Sequence, residues 1–151
     1  MSNTTRGIQA GGAGSTAKNV IAFITIATFG DATDFGDLLA GAGWIGGGAS
    51  STRGIFAGGY SGGGLNRIEF ITIATTGNAT DFGDLSASKF DCSACASSTR
   101  GIVAGGRTPS YLKIIEFVTI TTTGNVKNFG DLTSTRSQMG GFSDVHGGLG
   151  D

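Results

Sequence analysis

Apolar positions along this chain alternate instead of recurring at helical spacing. In the segment IEFITIAT (68–75), Ile68, Phe70 and Thr72 fall on one face of an extended strand, and Ile71 and Ile73 fall on the other. Both faces are largely apolar, which predicts a strand buried between two packed layers. TGNA (76–79) follows as a turn, since Gly and Asn tolerate positive φ, and TDFGDL (80–85) reads as the returning strand. RGIFAGG (53–59) reads as another strand closed by a double glycine, and FDCSACASS (90–98) as one built from small residues. No stretch has helical periodicity of useful length, so the fold class expected is all-β.

The same pattern occurs three times. Residues 4–50, 51–97 and 98–144 align without a gap at a period of 47. The copies open with TTRGIQAGG, STRGIFAGG and STRGIVAGG, and each runs on through an aromatic strand into FGDL. Identical in all three are Arg6/Arg53/Arg100, Phe23/Phe70/Phe117, Phe35/Phe82/Phe129, Asp37/Asp84/Asp131 and Leu38/Leu85/Leu132. Four short strands per unit, with a period in the forties, is the signature of a propeller blade. Residues 1–151 are therefore expected to form a single repeat domain, a β-propeller array of three four-stranded blades.

Composition narrows the partners. Of 151 residues, 29 are Gly, one is Pro and 14% are charged, with a net charge of −1. Such a chain can bury a core, but it has no basic surplus to neutralise phosphates, so no nucleic-acid partner is expected. The apolar run VIAFITIATF (20–29) is too short to cross a bilayer, and the N-terminus lacks the basic and apolar regions of a signal peptide. No membrane insertion is expected, and synthesis in a cytoplasm is.

The order of a basic residue (Lys89 or Arg136), a small-residue strand, RGIFAGG, EFITI and an aromatic-x-x-Leu strand resembles the kelch repeat. Phe70 and Phe82 stand where kelch blades carry tyrosine and tryptophan. More narrowly, the wording TRG…AGG…TIATTGNATDFGDL is similar to repeats of virion structural and fibre-like proteins of marine cyanophages. The kelch order implies that the small-residue segment is the inner strand and RGIFAGG the second. The chain would then start at the second strand of its first blade. The segment at about 135–148 would be an inner strand with no blade after it. Propellers have roughly four to eight blades, so two chains would give six, and a two-fold dimer is the commonest closed assembly. The C-terminal strand of each chain is expected beside the partner's residues 5–12. A larger ring or an open stack is the alternative.

Asp81-Phe82-Gly83 matches a kinase metal signature, but the glycine-rich loop, lysine strand and catalytic loop are missing and copy three has Asn128. The structural reading is that Phe35, Phe82 and Phe129 pack between blades while the following glycine relieves crowding. The ladder Asp31, Asp34, Asp37 could hold calcium, yet residues three apart on a strand face opposite ways, and turn chemistry accounts for the Asx residues. GGAGSTAK (11–18) lacks P-loop spacing. Cys92 and Cys95 align with Ile45/Gly48 and Met139/Phe142, which suggests buried free thiols in place of a metal or redox pair. His146 is the only histidine and has no evident partner. Asn3 and Asn78 stand in N-x-Thr sequons, read as incidental. No enzyme activity, catalytic residue, cofactor or metal is expected.

Arg6, Arg53 and Arg100 are expected to pair with Asp37, Asp84 and Asp131. The copies differ most after the double glycine, where Lys18, Tyr60, Arg67, Arg107, Tyr111 and Lys113 stand. With Trp44 near the inner strand, these are the candidate binding residues. The function expected is a non-enzymatic phage virion protein, structural, decorating or fibre-associated. Its expected partners are itself, other virion proteins and host-surface glycans, and its place is the virion, reached from the host cytoplasm. A free-standing lectin-like or protein-interaction module is the alternative.

Overall fold

A computed structural model describes residues 5–143. The described residues form eleven strands and no helix: β1 (Arg6–Ala10), β2 (Val20–Thr25), β3 (Thr33–Asp37), β4 (Gly46–Ala49), β5 (Arg53–Ala57), β6 (Leu65–Thr72), β7 (Thr80–Lys89), β8 (Ser93–Ala96), β9 (Arg100–Ala104), β10 (Ile114–Thr119) and β11 (Lys127–Asp131). They make three antiparallel sheets, ordered β1-β2-β3, β4-β5-β6-β7 and β8-β9-β10-β11. The all-β expectation holds. The small-residue strands β4 and β8 lie next to each other, Gly46 and Gly48 packing on Cys92, Ala94 and Cys95. Residues 135–143, the described part of the expected C-terminal strand, belong to no strand. Residues 144–148 of that expectation, with His146 and Asn3, lie outside the described residues.

Each junction between sheets has its own core. Ile8, Ile21, Phe35, Ile71, Ile73 and Ala79 fill the first, and Ile55, Ile68, Phe82, Val118 and Ile120 fill the second. Sheet two thus uses both faces of β6, Ile68 toward one junction and Ile71 toward the other, as the alternation predicted.

The kinase-like triple is a structural device. Pairing of β6 with β7 runs Ile68–Gly83 and then Glu69–Asp81, which leaves Phe82 as the extra residue of a β-bulge. The bulge turns the Phe82 ring into the second core. Gly83 adopts φ 146°, and a Cβ there would stand 2.4 Å from the carbonyl oxygen of Gly124 in the next sheet. The same shift occurs at Ile21/Ala22 and Ile115/Glu116, so Phe35 and Phe129 hold equivalent places.

Hydrogen bonds lock the sheets at the same 47-residue interval. Gly77 N–H donates to the Phe35 carbonyl and Gly124 N–H to that of Phe82, both at 2.7 Å. Ala79 and Val126 N–H donate to the Asp37 and Asp84 carbonyls. Asn78 and Asn125 accept, through Oδ1, the N–H groups of Asp37 and Asp84 at 3.0 Å. These two asparagines therefore latch neighbouring sheets, where local turn chemistry was expected.

The expected Arg–Asp pairs are corrected. Antiparallel register sets Arg53 opposite Thr72 at one end of its sheet and Asp84 opposite Arg67 at the other. Arg6, Arg53 and Arg100 instead lie over Phe23, Phe70 and Phe117, at 4.3–4.9 Å from the ring centres. Arg6 and Arg53 also reach forward to the carbonyls of Ile73 and Ile120. Asp131 pairs with Lys113 at 3.0 Å.

Among the described residues one ion pair is fully buried. Lys89, at the end of β7, forms an ion pair with Glu116 of the third sheet, and Glu116 also accepts the Ser86 N–H. In the first junction Ala42 replaces Lys89, and Arg67 neutralises Glu69 from its own strand. Removing one buried partner strands the other charge. Glu116→Ala is expected to lower the unfolding free energy by about 3–5 kcal/mol, whereas Lys89→Met with Glu116→Leu recovers most of it. Urea unfolding of the three chains checks this.

Candidate functional site

Among the described residues, three outside glycine have positive φ: Trp44 (52°), Asp91 (57°) and Gln138 (57°). They occupy the same position of the repeat, just before β4, β8 and the 139–143 segment. Asp91 N–H donates to the Trp44 carbonyl at 3.1 Å, and Gln138 N–H to the Asp91 carbonyl at 2.9 Å. The backbone turn is thus required by this string of bonds. Asp tolerates the left-handed region, but a tryptophan there carries a cost of about 1–2 kcal/mol. Trp44 is also 50% exposed, so core burial does not offset that cost.

Its surroundings form a ledge. The Trp44 ring meets Tyr60 edge to face at 5.7 Å, and Tyr60 meets Phe90 at 5.0 Å. The Arg107 guanidinium lies 4.7 Å over Phe90, and its Nε–H donates to Asp91 Oδ2 at 2.9 Å. Two backbone bridges, Gly43–Tyr60 and Phe90–Arg107, extend the β4-β5 and β8-β9 pairs and fix the ledge to the scaffold. Gly59 and Gly106 make this possible, turning the chain at φ 109° and 93° beside Gly43 and Phe90. Aromatic rings with one wet side, flanked by a held guanidinium–carboxylate pair, suit stacking on a flat ligand with polar edges.

The structure brings Trp44, Tyr60 and Arg107 together. Tyr111 is exposed on the loop that Arg107 opens, bridged to it through the backbone. The other candidates lie apart. Lys18 is exposed on the first sheet's loop, Arg67 is held by Glu69 and the Ala40 carbonyl, and Lys113 pairs with Asp131. Phe90 and Asp91 were missed. Their signal was present, since Phe90-Asp91 replaces Gly43-Trp44 and Ser137-Gln138 within an otherwise small-residue segment.

Cys92 and Cys95 do not converge. Cys92 is buried with its Sγ 3.5 Å from the Ala57 carbonyl, and Cys95 is half-buried, three positions along. Burial raises both thiols above their ordinary value, although Lys89 pulls Cys92 back somewhat. Among the described residues no three His, Cys, Asp or Glu side chains gather to hold a metal. A scan against models of protein families and a search of curated proteins return no match.

Two outcomes follow. Trp44→Asn, which suits the left-handed backbone, is expected to change stability by less than about 1 kcal/mol in urea unfolding, because relief of strain offsets the lost ring contact. The folded chain keeps Cys92 protonated at pH values where the unfolded chain has lost that proton, so folding stability should fall as pH rises past 9.0. Comparing wild type with Cys92→Ala between pH 8 and 10 isolates that slope, which the variant should flatten.

Proposed function

We propose that this chain is a non-enzymatic structural component of a phage particle or fibre, a propeller array whose aromatic ledge engages host-surface glycans. The three sheets are its blades, and with a second copy they close a six-bladed ring. The observation that carries the binding role is Trp44: a large, half-exposed side chain held at a strained backbone position, in line with Tyr60 and Phe90. Strain of this kind persists where the surroundings impose it and clusters at ligand sites. Sugar rings present apolar C–H faces to aromatic planes, while Arg107, held from behind by the buried Asp91 carboxylate, supplies donors at the edge.

The structural role draws on the junctions. Arginine, asparagine, lysine and glutamate side chains are engaged in sheet-to-sheet contacts, giving a charge-poor, insertion-free block. The virion setting rests on the resemblance of the repeat wording to cyanophage structural proteins. The same ledge also favours the second reading, a free-standing lectin-like module.

Glycan arrays of bacterial and marine polysaccharides test the binding role. Wild type is expected to bind at least one class, with Trp44→Asn and Tyr60→Ala weakening it tenfold or more. No binding across the array would contradict it. Immuno-electron microscopy of particles from the encoding genome separates the two settings, since only a virion component labels the particle.

A further inference from the structure

The two ends of the sheet stack are unlike each other, and each matches what the repeat places inside the stack. The forward end carries Phe129, which is 53% exposed, whereas Phe35 and Phe82 are 3% and 2% exposed. The backward end carries Ile26, also 53% exposed, whereas its counterparts Ile73 and Ile120 are at 0%. Ile24 is likewise exposed where Ile71 and Val118 are buried. In both internal junctions the phenylalanine packs with those two aliphatic residues. The end faces are thus the two halves of the same core.

The backbone agrees. Gly36 and Gly83 are glycines approached by the next sheet, a Cβ on either falling within 2.5 Å of backbone atoms of Gly77 or Gly124. Gly130 has the same conformation, φ 153°, but nothing stands within 4 Å of its Cβ position. Gly30 is glycine at the place of Gly77 and Gly124, and Asp31 offers the carboxylate oxygen where Asn78 and Asn125 offer Oδ1. Beside β8, residues Cys95, Ala96, Ser97, Arg100, Ile102, Phe142 and Ser143 border a concavity of about 490 Å³. Gly141 packs on Ser93 and Ala94 much as Gly46 packs on Cys92 and Ala94.

We infer that the forward face of one chain receives the backward face of a second copy, and the reverse, so that two copies close a ring through two identical head-to-tail junctions. In each, Phe129 enters between Ile24 and Ile26 of the other copy, Arg100 reaches the Ile26 carbonyl, and Asp31 accepts the Asp131 N–H. The occupant is a second copy because only the repeat itself carries this donor, acceptor and glycine spacing. The closed count of two rests on the propeller reading proposed above. Glycan binding is independent of it, and a chain that dimerises without binding sugars leaves the inference standing.

The test uses complementation, read by native mass spectrometry and analytical ultracentrifugation. Wild type should run as a dimer, while Ile26→Glu and Phe129→Glu should each run as monomers. An equimolar mixture of the two variants should recover a heterodimer, because one wild-type junction survives between them. Arg100→Ala changes a side chain exposed in the single chain and should weaken dimerisation tenfold or more with an unchanged circular dichroism spectrum. A monomeric wild type, a ladder of larger open species, or variants that dimerise unimpaired would overturn the inference. So would a failed mixture alongside an unaffected Arg100→Ala dimer.

Discussion

The close approach of successive sheets at the bulge glycine is the constraint on which the rest depends. At Gly83 the neighbouring backbone stands where a side chain would begin. That contact permits the carbonyl of Phe82 to accept from Gly124 and Asn125 to latch Asp84. It also sets the depth to which Phe82 enters the core shared with Val118 and Ile120. Moving the sheets apart by the width of one methyl group would weaken all of these together. Glycine content therefore follows from packing here more than from flexibility.

A repeated junction of this kind makes stability a near-neighbour property, with each sheet held by the one on either side. It also leaves apolar side chains exposed at the outer sheets, Ile24 and Ile26 on the first and Phe129 on the third. Variation is confined to places the junction tolerates. The buried Lys89–Glu116 pair in one junction and Arg67–Glu69 in the other are alternative ways to neutralise a glutamate at the same site. The ledge built by Trp44, Tyr60, Phe90 and Arg107 varies more freely, because it lies beyond the strand ends.

Much of the fold was legible because the period is undisturbed. Two-sided apolar alternation in IEFITI implied a buried strand, and the double glycines marked where strands close. What escaped was register. Arg53 and Asp84 recur together in sequence, which implies pairing, yet the antiparallel ladder holds them at opposite ends of one sheet. Asn78 and Asn125 read as turn residues because local chemistry sufficed to explain them, while their actual partners lie 41 residues away. The ledge was half visible: Trp44, Tyr60 and Arg107 stood out as departures between copies, but Phe90 and Asp91 were absorbed into a small-residue strand.

The central claim is that the end faces are junctions of the same kind as the internal ones. Amide hydrogen exchange at residue resolution on the intact chain tests this most directly. The account predicts that the amides of Gly30, Ala32 and Asp131 are protected to a degree comparable with Gly77, Ala79 and Asp84. Free exchange at the first three, with strong protection at the others, would contradict it.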